Sequence, residues 1–240
     1  MSRPCYGLAR VLSKRGLCSR SEAERLVRAG RVRLDGRLIR DPEHPADLQQ
    51  AVIEIDGKAT SAAAPIHLML NKPRGLVTTL RDERGRDTVY RCFDGAGLGH
   101  IAAVGRLDKA SEGLLLFSND PAWAARITDP ATGPDKTYHV QVDSIPQPSQ
   151  LQAMRDGIQC DDVLLRAKSS SLLRAGDKHA WLEIVLDEGR NRQIRRLLAA
   201  LDIGVLRLVR VAIGPLQLGE LPKGQWRALT AEEVAALGGD

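Results

Sequence analysis

The first forty residues mix short apolar clusters with charge at helical spacing. Between Gly7 and Lys14, Leu8, Val11 and Leu12 fall at i, i+3 and i+4, while Arg10 and Lys14 project elsewhere on the turn. That pattern predicts a short amphipathic helix, which Gly16 can stop. Ser19 with Glu22 three residues on has the spacing of a capping box and predicts a second helix, its buried stripe made by Ala23, Leu26 and Val27. Gly30 ends that helix. Val32 and Leu34 then alternate with Arg31 and Arg33, Asp35-Gly36 supplies a hairpin turn, and Leu38 and Ile39 continue a second strand.

From Thr60 to Pro65 the chain is small and uncharged and ends in proline, the composition of a linker. The expected division is therefore a module over 1–60, a linker over 61–65 and a larger domain over 66–240. In the larger part the pattern predicts a strand IHLML, a turn at 72–75 and a β-branched strand LVTTL at 76–80. Further strands are expected around 101–107, 113–118, 136–142, 180–186 and 205–213, with helices at 121–128, 148–157, 191–201 and 231–237. The last helix opens on Thr230 with Glu233 at capping-box spacing. Strands outnumber helices and do not alternate strictly with them, so the fold class expected is α+β.

Composition narrows the class of protein. At 240 residues there is room for about two domains. No stretch approaches the roughly 18 apolar residues of a membrane helix, and the N-terminus lacks the apolar run of a secretory signal, so a cytoplasmic protein with no membrane partner is expected. Cys5, Cys18, Cys92 and Cys160 form no CxxC pair and read as isolated thiols. The net charge of +5 is unevenly spread. Residues 10–40 carry Arg10, Lys14, Arg15, Arg20, Arg25, Arg28, Arg31, Arg33, Arg37 and Arg40 against three acids, a local excess of seven. A second cluster, Arg190, Arg192, Arg195, Arg196, Arg207 and Arg210, faces only Asp202 between 189 and 210. Arginine forks two hydrogen bonds onto a phosphate, so this usage favours a nucleic-acid backbone over a merely solvated face. Aromatics at 3% argue against a platform of stacked rings.

Familiar catalytic patterns are missing. There is no GxxxxGK[ST], GxGxxG or GxSxG, and the five histidines never fall at metal-ligand spacing, so neither a metal nor a nucleotide cofactor is expected. What stands out is Gly105-Arg106-Leu107-Asp108, which ends the apolar run IAAV and precedes the turn Lys109-Ala110-Ser111-Glu112-Gly113. A carboxylate at a strand end can be held by a sheet yet face a cleft, as a nucleophile or general base must. Taken alone, an acid ahead of a turn is commonplace. Arg106 precedes Asp108 by two, so in extended chain both side chains share a face.

Two resemblances give these residues a context. RVLSKRGLCSRSEAERLVRAGRVRLDGRLI resembles the S4 RNA-binding domain at Gly16, Ser19-Arg20, Ala23, Gly30, Val32 and Gly36, over about residues 6–58. The segments NKPRGLVTT (71–79), GRLD (105–108), KTYHV (136–140) and EGRNRQIRR (188–196) match, in order, pseudouridine synthases of the RsuA family, the ribosomal-RNA branch that commonly carries an S4 domain in front. The resemblance implies a mixed antiparallel sheet with flanking helices and a central cleft, a monomer acting on ribosomal RNA or a ribosome assembly intermediate, and no cofactor. It implies Asp108 as the nucleophile, Arg195 as its cationic partner and Tyr138 as the tyrosine against the extruded uracil. It implies Arg106 as a residue holding the target nucleotide out of the RNA stack. Lys72, Arg190, Asn191 and Arg192 are then expected to line the groove and grip RNA, with a solvated turn lysine the other reading of Lys72. One departure stands out: many relatives carry Thr-Ser or Thr-Thr where this chain has Ser111-Glu112. A second carboxylate in the cleft would not help, so Glu112 is expected to point outward or pair with a base. Ser-Glu-Gly and KTYHVQV are most similar to the pseudouridine synthase E subgroup that acts on the large ribosomal RNA, whereas the S4 module is shared with the B and F subgroups.

Overall fold

Ser19 caps the second helix as its spacing predicts: its side chain accepts a hydrogen bond from the Glu22 amide and opens α2 (Arg20–Arg28). The computed structural model describes residues 5–80 and 82–238, and its chain falls into two compact units. The first runs to His67 and takes in Gly95–Ala102 and Phe117–Ala125. It starts with β1 (Cys5–Gly7) and α1 (Leu8–Lys14), then α2. β2 (Val32–Leu34) and β3 (Arg37–Ile39) form the expected hairpin. Its turn residues Asp35 and Gly36 both have positive φ, the conformation a tight hairpin turn demands and glycine supplies without strain. β4 (Pro45–Asp47) pairs with β1, and β5 (Ile53–Ile55) joins β2 and β6 (Lys58–Thr60) in a four-stranded sheet. Leu8, Val11, Leu12, Ala23, Val27, Val32 and Ile53 are fully buried in one core. Each large aliphatic side chain there contributes about 1.5–3 kcal/mol. Cys18 belongs to this core, and burial pushes its thiol up to about 11, so it stays protonated and inert.

Residues 61–65 have no regular structure but are not free. The Ala63 amide donates to the Arg15 carbonyl, and the Asn119 side chain donates to Ala64 and accepts from Ile66.

The second unit is built on a nine-stranded mixed sheet. In chain order the elements after β6 are β7 (His67–Lys72), a 3-10 turn (Val89–Phe93), β8 (Ala102–Val104), β9 (Glu112–Ser118), α3 (Pro121–Thr128, which begins in the first unit), β10 (Lys136–Val142) and α4 (Pro148–Asp156). They continue with β11 (Ile158–Cys160), β12 (Val163–Leu165), β13 (Ser169–Ala175), β14 (Ala180–Leu186), α5 (Gln193–Ala199), β15 (Val205–Ile213), β16 (Leu216–Gln217), β17 (Trp226–Ala228) and α6 (Ala231–Ala236). The order across the sheet is β13-β14-β10-β15-β9-β7-β17, with β16 on β15 and β8 on β9. The β15–β9 pair is parallel and β10 is antiparallel to both its neighbours. Gly113 makes the parallel pair possible: a Cβ there would sit 2.2 Å from the Arg210 carbonyl oxygen.

Two expectations change. Residues 76–80 form no strand; Val77 makes one isolated bridge to Thr88, and the Thr78 hydroxyl donates to the Leu107 carbonyl instead. The strand expected over 101–107 ends at Val104, because Gly105 takes φ +74° and turns the chain. Asp108 therefore stands on a loop beyond the strand. No helix among the described residues is long and apolar enough to cross a membrane.

Candidate active site

Alternation along the central strands sorts the site. Lys136 and Tyr138 on β10, Leu186 on β14, and Leu208 and Arg210 on β15 point to one face of the sheet, where they line a cavity of about 530 Å³. His139, Trp181, Arg207 and Val209, one residue out of phase, line a separate hollow. The loop after β8 brings Arg106 and Asp108 to the first cavity, and α5 with its preceding loop closes another wall through Arg192 and Arg195. The sequence thus separates these groups by up to about a hundred residues, and sheet order reunites them.

Asp108 sits at the mouth, its side chain 41% exposed. The Ser111 amide donates to its carbonyl, closing the 108–111 turn. The nearest cation differs from the one expected. Arg192 Nη1 lies 3.7 Å from Asp108 Oδ2. Arg195 Nη2 donates to the Ala110 carbonyl at 3.3 Å, on the turn that carries Asp108. Arg195 feels the Asp108 charge without contact, and its Nε is buried with no hydrogen-bond partner. Burial and the neighbouring Arg192 push its pKa below the ordinary arginine value, against the pull of Asp108. Arg192 reaches Asp108 because it adopts a left-handed backbone, φ 51°, as the N-cap of α5. Helix α5 begins at Gln193, so Arg190, Asn191 and Arg192 belong to the loop before it. All three line the cavity, with Arg190 held by Glu188 at 2.8 Å.

Lys72 is a correction. It is fully buried at the end of β7, and its ammonium donates to the carbonyls of Pro73 and Ser111. Burial pushes its pKa down to about 8, against the attraction of Glu112 and Asp108. It cannot grip an RNA backbone from there; it braces the turn behind Asp108. Arg15 is a second correction, since it is buried in the first unit with its Nε donating to the Leu48 carbonyl. Arg10 and Lys14 lie over the Tyr6 ring, and Arg33 donates to the Gly36 carbonyl. Arg20, Arg25, Arg28 and Arg31 are exposed but paired with acids of their own module.

Glu112 faces away from the cavity. It is buried, with Arg207 at 2.8 Å and Lys223 at 2.5 Å, and these partners, Arg207 foremost, hold its carboxyl down at about 2. Sequence reasoning missed Lys136 and Arg210 as cavity residues. The signal was available: in a strand, Lys136 shares a face with Tyr138.

The comparisons with known proteins fit this geometry. The family model described as RNA pseudouridylate synthase matches residues 66–200, and that described as S4 domain matches 7–52. An uncharacterized RNA pseudouridine synthase of Mycobacterium bovis is 36% identical, over 96% of this chain and 92% of its own. Another, of Aquifex aeolicus, is 34% identical over 95% of this chain and 92% of its own. A crystal structure of a pseudouridylate synthase superposes with a TM-score of 0.67 at 29% identity, covering 96% of this chain and 99% of that one. With an S4 domain ahead of a mixed sheet and a cationic cavity around one acid, the chain belongs to the RNA pseudouridylate synthase family of isomerases.

Proposed function

We propose that this protein isomerises a uridine of ribosomal RNA, with Asp108 as the nucleophile. The observation that carries the reading is the placement of Asp108: a carboxylate at the mouth of a nucleobase-sized cavity, faced by Arg192 at 3.7 Å and ringed by Arg106, Tyr138 and Arg195. Attack at ribose C1′ or at uracil C6 both use this carboxylate. The bond Asp108 forms lets the N1–C1′ bond break, the base turns, C5 bonds to C1′, the bond to Asp108 breaks again, the C5 proton leaves and N1 takes one up. Electrons and atoms balance with no added group. Tyr138 packs on the extruded base, and its hydroxyl assists removal of the C5 proton. Extrusion costs a few kcal/mol, which Arg106, Arg190, Asn191 and Arg192 offset through contacts to flanking phosphates.

In this reading the module over 1–60 delivers structured RNA, 61–65 joins it to the catalytic domain over 66–240, and the protein works as a cytoplasmic monomer on rRNA or an assembly intermediate. The Ser-Glu-Gly and KTYHVQV segments favour 23S rRNA, with 16S rRNA second. The test is release of tritium from uracil C5 of unmodified rRNA. Wild type is expected to release label at one site, and Asp108→Asn to lose about 10⁴-fold or more. Binding without release by the wild type would overturn the reading.

A further inference from the structure

Arg210 is the least solvated cation of the cavity. It is 5% exposed, its Nε donates to the Leu114 carbonyl, and its Nη2 is buried without any hydrogen-bond partner. A buried guanidinium donor without a partner is costly, so Arg210 is suited to meet an acceptor that a ligand brings. Its position is set by the sheet: Arg210 is the cross-strand partner of Tyr138. Lys136, two residues before Tyr138 on the same face, lines the same cavity and lies close enough to Arg210 for their charges to repel. Lys136 is partly buried, and the adjacent acid, Asp135, is engaged by Lys168 at 2.7 Å. Two cations thus flank the tyrosine on the sheet wall of the cavity that Asp108 also lines.

The chemistry of the base supplies the acceptor. This step rests on the proposed nucleophile. With Asp108 at ribose C1′ or uracil C6, the glycosidic side of the ring lies at the mouth. The atom across the ring from N1 is C4, so O4 points to the wall. We propose that Lys136 and Arg210 form a donor-only reader of the uracil carbonyl opposite the glycosidic bond, selecting uridine against cytidine. Neither side chain can accept a hydrogen bond, so cytosine would turn its amino donors toward two donors in a dry site. The same pair suits the product. Turning the ring about its N3–C6 axis exchanges N1 with C5 and O4 with O2, so a carbonyl oxygen meets the two cations before and after the rotation. Cytosine offers a carbonyl in only one of those orientations.

The experiment uses full-length protein carrying Asp108→Asn, with poly(U) and poly(C) as probes in filter binding at fixed salt. Both polymers carry the same backbone charge, and comparing parent with variant cancels their different stiffness. The parent is expected to prefer poly(U) by about tenfold, and Lys136→Met to bring the ratio to about one, while Lys136→Arg restores it. Arg210→Lys should reduce the ratio as well; if loss of the Leu114 bond unfolds that variant, the more accessible Lys136 pair still decides. An equal affinity of the parent for both polymers, or a ratio unchanged in folded Lys136→Met, overturns the proposal and leaves tritium release by wild type untouched. A preserved base preference with no tritium release by wild type would instead remove the chemistry assigned to Asp108.

Discussion

The two cationic regions of this protein differ in what their arginines already hold. In the first unit Glu24 is shared by Arg20 and Arg28, Arg25 rests on Glu22, and Arg31 on Asp56. These pairs are exposed, and such pairs are worth about 0–1 kcal/mol each. A phosphate can replace the acid at little cost, so this surface suits any RNA of the right shape. Around the cavity the balance is reversed: Arg195 Nε and Arg210 Nη2 are buried without partners, and Asp108 lines the same cavity. Donors held out of water cannot be satisfied by chance contacts, so they discriminate. On the proposed function, the protein thus separates grip, which is exchangeable and salt-sensitive, from chemistry, which is fixed.

The largest effect expected from breaking this contrast is at Arg195. Its Ala110 bond ties the guanidinium to the Asp108 turn, and it feels the Asp108 charge through space. Arg195→Met is expected to lower single-turnover tritium release by about 10²–10³-fold, the scale of losing one preorganised charged group. The salt dependence of RNA binding should not move. A flattened salt slope with intact turnover would reassign Arg195 to the grip.

Stability of the loop should depend next on Glu112. Its carboxyl titrates at about 2 in the folded protein, below the ordinary 4.5, because Arg207 and Lys223 bond it. A depressed carboxylate contributes stability above pH 4.5 and loses it as pH falls through 2. Glu112→Gln is therefore expected to cost about 1–3 kcal/mol at neutral pH, discounted for the half-exposed partners, and the gap to wild type should close between pH 4.5 and 2. Denaturant melts across that range measure it. A gap that stays constant with pH would mean Glu112 acts through packing and not through its charge.

Local rules made much of this legible. The Ser19 cap, the Asp35-Gly36 turn, the bounds of β10, β14, β15 and α3 and the start of α6 follow from spacing alone, because each is decided within a few residues. Asp108 and Tyr138, whose motifs keep their order in the chain, line one cavity. What failed was long-range. Residues 76–80 look like a strand by composition, but no neighbour in the sheet offers them an edge, and Thr78 spends its hydroxyl on Leu107. Lys72 looks like a turn lysine until β7 is placed in the sheet, where Ser111 caps its ammonium. Which arginine stands nearest Asp108 depends on the left-handed backbone at Arg192, which no periodicity announces.

The smallest expected effects are in the first unit, and they show how interchangeable its charges are. Arg28 is exposed and only 3.9 Å from Glu24, so its loss should hardly touch folding. Arg28→Ala is expected to weaken RNA binding a few-fold and to reduce the slope of log affinity against log salt by about one, the signature of one phosphate contact. Glu24→Gln should do the opposite, since it frees Arg28 and leaves Arg20 with Glu43 alone, raising affinity at low salt and steepening the slope. The rate of tritium release at saturating RNA should stay as in wild type for both. If the two substitutions shift affinity in the same direction, the pairs with Glu24 organise the binding face instead of competing with RNA for it, and the division between exchangeable grip and fixed chemistry fails at that helix.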